Sequence, residues 1–199
     1  MPCYHPVDAW HSRSVGKGIT FSPKDAYIDR PLKVPCGQCI GCRIRRSREW
    51  AIRCAHEASL YEDNCSITLT YSDEHVPYDM SLNVGDFQRF MKRLRKRFSP
   101  RRIRFFHSGE YGDKTSRPHY HALLFNCDFD DKYVWRKSNA GHLYYRSDVL
   151  DELWGLGHSE IGECNYSIAA YVARYIMKKR FGPQQKEFYI WTDPETGVI

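Results

Sequence analysis

Two histidines one residue apart, His119 and His121, stand inside Arg117-Pro118-His119-Tyr120-His121-Ala122-Leu123-Leu124-Phe125, and their spacing is the first sign of chemistry in the chain. In an extended strand successive side chains alternate faces, so both imidazoles project to one side, about 6.6 Å apart along the backbone. Two imidazoles so placed can converge on one cation. The competing reading is a hydrogen-bonded pair on a buried strand. A carboxylate tips the balance. The segment Ile103 to Tyr111 reads as the preceding strand, and Gly112 to Ser116 as the turn that folds it into a hairpin. That hairpin sets Glu110 beside His119 as the natural third ligand.

A second group of reactive side chains lies on the segment Ile168 to Lys179, which Asn165 or Ser167 opens and Gly182-Pro183 ends as a helix. Helical spacing puts Tyr171 and Tyr175 on one stripe with Ile168, Val172 and Ile176, and carries Lys178 along the same line. One reading makes them core tyrosines, each with a bonded hydroxyl. The other makes them nucleophiles. A phenol with a pKa of about 10 needs a metal or cation nearby to attack phosphorus, and a lysine on this line is a poor core residue but a good holder of a phosphate oxygen or a phenolate. A carboxylate, two imidazoles and a bound phosphate suit Mg2+ or Mn2+ better than zinc.

Cys36-Gly37-Gln38-Cys39-Ile40-Gly41-Cys42 is a knuckle with three thiols at metal-ligand spacing, and a structural Zn2+ is the expected occupant, with free thiols as the alternative. Tetrahedral zinc needs a fourth ligand, open at this point among Cys3, His5, Cys54 and Cys65. Cys54 is the weakest of these because it falls on the apolar stripe of the following helix. There are eight cysteines in all. Without a charged-then-apolar leader at Met1, the chain is expected to stay in the cytosol, where metal binding or free thiols outrank disulfides.

Net charge is +6, from 30 Lys and Arg against 24 Asp and Glu. Nine of these cations crowd between Arg89 and Arg104 with no acid among them, and a single-signed run that gains nothing from internal ion pairing favours a polyanion, most simply nucleic acid, over a solvated helix face. Arg89, Lys92, Arg93, Lys96, Arg97, Arg101 and Arg102 are accordingly the expected nucleic-acid contacts. No apolar run reaches the roughly 18 residues of a membrane span.

These groups need a scaffold. Residues 1–42 read as an irregular arm ending in the knuckle, because Pro2, Pro6, Pro23, Pro31 and Pro35 interrupt any periodicity. Residues 43–199 read as one α+β domain. It comprises a helix from Arg43 to Tyr61, a strand from Ser66 to Tyr71, and an amphipathic helix from Phe87 to Phe98 capped by Asp86. The strand pair around the histidines follows. The segment Trp135 to Tyr145 resists assignment, Asp148 opens a short helix to Trp154, and His158 to Cys164 forms a strand. After the tyrosine helix comes a last strand, Glu187 to Trp191, and a turn at 193–197, so the chain is expected to be C-terminally truncated.

In combination, His119-Tyr120-His121 in an apolar strand, the strand Ile67-Thr68-Leu69-Thr70-Tyr71, and Tyr171-x-x-x-Tyr175-x-x-Lys178 resemble the three motifs of HUH endonucleases, the rolling-circle initiators and relaxases. Cys36 to Cys42, Asp86 to Lys96 and Gly109-Glu-Tyr-Gly112 narrow the resemblance to the replication initiators of microviruses of the gokushovirus type. It covers the chain from Cys36 to Lys179. It implies a ferredoxin-like fold, a central antiparallel sheet with packed helices. It also implies that a tyrosine attacks the phosphodiester at a single-stranded DNA origin, joins the 5′ phosphate and frees a 3′ hydroxyl, in the cytoplasm of a bacterial host, with host helicase and polymerase as later partners and no membrane. The rival classes are a non-catalytic single-stranded nucleic-acid-binding protein and a two-histidine phosphodiesterase. The latter needs two His-x-Ser/Thr elements where the chain offers one His-x-His.

Overall fold

The computed structural model describes residues 3–112, 115–138 and 141–178, with the side chains of 175–178 excepted. The chain forms two compact units that divide between Glu49 and Trp50. The expected strand at 187–191, the turn after it and the Gly182-Pro183 stop lie outside the described residues.

The first unit is not the irregular arm that its prolines suggest. Val7–Ser12 (β1), Ile19–Thr20 (β2) and Ala26–Val34 (β3) form an antiparallel sheet in the order β2-β1-β3. Its apolar alternation is missing because the sheet is exposed almost throughout: of its apolar side chains only Ala9 and Ala26 are buried. Pro31 is tolerated opposite Trp10 because β3 is an edge strand. The hydroxyls of Ser12 and Ser14 each donate to the Asp25 carboxylate at 2.7 Å, which holds that carboxyl below its usual range and ties the end of β1 to the 3-10 turn Pro23–Asp25 before β3.

The helix α1 (Ile40–Ala58) runs on into the second unit. There follow Asn64–Tyr71 (β4), Val84–Arg97 (α2), Arg104–Tyr111 (β5), Pro118–Phe125 (β6), Tyr133–Lys137 (β7), Leu143–Arg146 (β8), Asp148–Trp154 (α3), Gly157–Glu163 (β9) and Tyr166–Lys178 (α4). The sheet order is β5-β6-β4-β9-β8-β7, with each pair antiparallel. Taken as β4-α2-β5-β6-α3-β9, the first four strands form the second-third-first-fourth order of a ferredoxin-like βαββαβ unit. The unassigned aromatic segment turns out to be the hairpin β7–β8, which extends the β9 edge. Its solvent-exposed first strand explains why no periodicity marked it.

Strand alternation distributes the core over both faces. Ile67, Leu69 and Tyr71 of β4 and Tyr120, Ala122 and Leu124 of β6 pack with Phe87, Phe90, Met91 and Leu94 of α2 and with Leu150, Leu153 and Trp154 of α3. On the other face Leu123 and Phe125 of β6 pack with Cys54 of α1 and with Ala169 and Val172 of α4. His119 and His121 continue this second face toward the start of β6. Among the described residues no helix is long and apolar enough to cross a membrane.

Two helix caps differ from expectation because tertiary contacts choose the capping side chain. Asn83, not Asp86, caps α2, its side chain accepting from Gly85 N at 2.9 Å. Asp86 is buried and accepts the Tyr71 hydroxyl at 2.7 Å, while Tyr120 donates to Asn83 O at 2.7 Å. Burial pushes the Tyr71 phenol far up and that of Tyr120 to about 12, so both stay neutral. Ser147, not Asp148, caps α3, accepting from Leu150 N at 3.0 Å while donating to Asp131 at 2.7 Å.

Gly157 begins β9 with φ +151°, and a Cβ there would lie 2.3 Å from Ser72 N and 2.4 Å from Thr70 O. Those are backbone atoms of the β4 end and cannot rotate away. Gly157→Ala is therefore expected to destabilise the unit by about 2–4 kcal/mol, read as a lowered thermal midpoint. Gly18→Ala, which meets nothing within 4 Å, should shift it little. Equal midpoints for the two variants would refute the close approach.

Candidate functional site

The β5–β6 hairpin places Glu110 directly opposite His119, and Ser108 opposite His121. All three candidate ligands share the sheet face that carries α4. Glu110 Oε2 lies 3.5 Å from His119 Nε2 and 3.4 Å from His121 Nε2. The imidazole rings stand nearly perpendicular, 85° apart with centroids at 4.9 Å. One ligand atom from each residue fits within 4.8 Å of the others. Ligand atoms held about 2.1 Å from a shared ion are about 3.0–3.4 Å apart, so the donors need only small adjustments to take one.

The distal ring nitrogens orient the proximal ones. His119 Nδ1 lies 3.1 Å from Arg117 O, and a carbonyl can only accept, so Nδ1 carries a proton, and in the neutral imidazole the Nε2 lone pair faces Glu110. His121 Nδ1 lies 3.1 Å from Thr68 Oγ1, its register partner on β4. In the tautomer that donates from Nδ1 to that hydroxyl, the His121 Nε2 lone pair faces the same point. Glu110 is only 8% exposed. A carboxylate buried against two lone pairs is electrostatically costly unless a proton or a metal cation lies between them, so the donor set fits a cation. Arg117 holds the entry to β6, donating to Tyr71 O at 2.9 Å and pairing with Asp73. Sequence reasoning missed Thr68 and Arg117 as supporting residues. The signal for Thr68 was the strict alternation of β4, which puts its polar positions on the histidine face.

Tyr171 departs from the expected buried stripe. Among the described side chains of α4, Ala169, Val172 and Ala173 are buried, and Tyr171 is 49% exposed on the flank. Small residues let α4 lie close to the sheet, which leaves the larger phenol at the edge. That edge is next to the histidines: the Tyr171 and His121 ring centroids are 6.0 Å apart, edge to face. Position 175 lies one helical turn further along α4, and the side chains of Tyr175 and Lys178 fall outside the described residues.

The basic run is distributed differently from a single DNA track. The core side of α2 faces the sheet surface opposite to the one that carries Glu110, His119 and His121. Several of its cations have structural partners. Arg93 donates to Leu153 O and Trp154 O at 2.8 and 2.9 Å, capping α3. Arg89 pairs with Asp86, and Arg101 bonds Asp63 at 2.9 Å. Lys92, Lys96, Arg97 and Arg102 are exposed to solvent. On the face of the histidines, Trp50 of α1 stacks on Phe106 of β5 at 5.0 Å with Arg53 over the Trp50 ring at 5.1 Å, an aromatic and cationic group assembled from a helix and a distant strand, which no local spacing in the sequence marks.

The knuckle cysteines Cys36, Cys39 and Cys42 gather in the first unit, and the fourth member of the group is Cys3. Cys54 and Cys65 belong to the two hydrophobic clusters of the second unit, and His5 is exposed.

Comparison with known proteins agrees with the motif resemblance. The chain is 38% identical over 186 residues to replication-associated protein VP4 of Bdellovibrio phage phiMH2K, covering 90% of this chain and 58% of that protein. It is 40% identical over 154 residues to replication-associated protein ORF2 of Spiroplasma virus 4, and 34% identical over 154 residues to replication-associated protein ORF4 of Chlamydia phage 1. Each of these two matches covers 73% of this chain, against 48% and 38% of the respective relatives. The chain thus spans about half the length of the curated relatives it matches. No solved structure matches it significantly. The family described as replication-associated protein ORF2/G2P matches residues 64–180, β4 through α4 and so the hairpin, both histidines and the tyrosine helix, and the chain belongs to that family.

Proposed function

We propose that this chain nicks and rejoins single-stranded DNA at a phage replication origin through a tyrosine-linked intermediate, in the cytoplasm of a bacterial host. The observation that carries this reading is the convergence of Glu110, His119 and His121 on one point with the Tyr171 ring 6.0 Å from His121. The relatives' names as phage replication-associated proteins support it from another side.

Mg2+ or Mn2+ held by Glu110, His119 and His121 would polarise the scissile phosphate and offset its developing charge. The chain's own groups do the rest. The Tyr171 or Tyr175 oxygen forms a bond to phosphorus and the bond to the 3′ oxygen breaks, so the 5′ phosphate stays on the protein and a 3′ hydroxyl leaves. The phenolic proton passes to solvent, and the departing 3′ oxygen takes one up. Lys178 holds a phosphate oxygen. Thr68 and the Arg117 carbonyl keep the imidazoles aimed. Exposed cations from Lys92 to Arg102 hold the phosphate backbone away from the reaction centre, and a host polymerase extends the freed 3′ end while a host helicase separates the strands.

The test incubates the whole chain with single-stranded DNA carrying the phage origin, with manganese or with a chelator. The expected result is a nicked product and a covalent protein–DNA adduct, both lost on chelation, with the adduct mapped by mass spectrometry to the peptide holding Tyr171 and Tyr175. Binding without cleavage on every origin-derived sequence would replace this reading by the binding module, and cleavage without an adduct would replace the tyrosine by water.

A further inference from the structure

The three-stranded sheet of the first unit lacks what usually holds such a sheet together. Among its described residues the only buried apolar side chains are Ala9 and Ala26, and two alanines bury far too little surface to offset the ordering of some forty residues. Small units with so little core depend on a staple, either disulfides or a metal. One end of this sheet carries four thiols.

Cys3 Sγ lies 3.6 Å from Cys36 Sγ and 3.8 Å from Cys39 Sγ. Together with Cys42, all four sulfurs fit within 4.8 Å of one another. Four thiolates around one zinc, each bond about 2.3 Å, stand about 3.8 Å apart at tetrahedral angles. A disulfide would instead draw two sulfurs to about 2.05 Å and break the group into pairs. Backbone amides already point at the sulfurs as they do around a bound thiolate centre. Tyr4 N donates to Cys39 Sγ at 3.4 Å, Cys36 N to Cys3 Sγ at 3.3 Å, and Cys39 N to Cys36 Sγ at 3.3 Å. Gly37, at φ +74°, supplies the left-handed turn that brings Cys39 back toward Cys36.

We propose that Cys3, Cys36, Cys39 and Cys42 hold a structural Zn2+ that replaces the missing hydrophobic core of the first unit and closes the chain from Cys3 to the start of α1. The site is closed, with four sulfur ligands and no position left for a substrate, so it is structural rather than catalytic. On binding, four thiols release their protons to solvent and the resulting centre carries a net charge of two minus, which the amide donors offset. The inference is independent of the nicking reaction, since all four ligands lie in the first unit.

The experiment uses the whole chain stripped of metal and titrated with Co2+ and Zn2+. A thiolate-to-cobalt charge-transfer band in the near ultraviolet, with intense tetrahedral ligand-field bands that zinc displaces at one equivalent, is the expected result. A site of imidazoles and a carboxylate gives no thiolate band, so the second unit cannot imitate it. Cys3→Ser should weaken zinc binding by more than the roughly 10–100-fold typical of losing a supporting contact to a ligand, whereas Cys54→Ala should leave it unchanged. Metal-stripped protein should be cleaved by trypsin within residues 7–34, where the zinc-loaded chain resists. The proposal fails if wild type shows no thiolate band, if Cys3→Ser keeps wild-type zinc affinity, or if stripping leaves the sheet equally resistant.

Discussion

Replacing His121 by alanine is expected to lower manganese-dependent nicking at least about a thousandfold, equivalent to roughly 4 kcal/mol of transition-state stabilisation, while affinity for single-stranded DNA stays within about threefold. The asymmetry follows from where the residue sits. Its Nε2 is 3.4 Å from Glu110 Oε2 and its Nδ1 is engaged by Thr68, so its loss removes one of three converging donors. Affinity for a strand comes chiefly from phosphates neutralised by Lys and Arg, and those cations are elsewhere. Glu110→Gln keeps the shape of the site but removes its charge and should fall in the same class. Thr68→Val leaves all three donors in place and should weaken manganese binding by about 10–100-fold, partly rescued by raising manganese. Single-turnover nicking, measured beside a filter-binding titration, separates the two quantities. Parallel loss of binding and nicking in His121→Ala would make the histidines structural, as in the binding-module reading.

What was legible in the sequence was what strong periodicity and local spacing determine. The strand Ser66 to Tyr71, the hairpin from Ile103 to Phe125 and the opposition of Glu110 to His119 follow from alternation and one short turn, and the register bears them out. The first unit was illegible because a sheet that buries only two alanines writes no hydrophobic pattern. The caps were misplaced because Asp86 and Asp148 satisfy local capping rules, while tertiary contacts draw Asp86 into a buried bond with Tyr71 and give the α3 cap to Ser147. The fourth thiol, Cys3, is 33 residues from Cys36, beyond the reach of any spacing argument. The basic run was read as one surface because charge has no register. Which face of the sheet α2 occupies is decided by its apolar side, and that side turns its cations away from the histidines. Tyr171 was expected inward because its position fits the stripe, yet a helix packed through alanine and valine leaves a phenol no room beneath it.

Combining Tyr171→Phe with Tyr175→Phe is expected to abolish adduct formation and to reduce nicking to background, a loss of about ten-thousandfold or more, with metal and DNA binding intact. The substitution removes only the hydroxyl oxygens. Tyr171 is half exposed, so its phenyl ring is not core and the single Tyr171→Phe variant should keep the wild-type thermal midpoint. The single variants carry more information. Two nucleophiles one helical turn apart can alternate, one cutting a regenerated origin while the other's adduct is resolved by the new 3′ hydroxyl. Each single phenylalanine variant should then still form an adduct through the remaining tyrosine, yet fail to release a closed circle after one round of synthesis. If only one of the two were a nucleophile, its single variant would match the double variant and the other would match wild type, and the alternating scheme would be lost while the nicking assignment stood. If the double variant still formed an adduct, the nucleophile would be neither tyrosine, and the 6.0 Å approach of Tyr171 to His121 would have to be explained by packing alone.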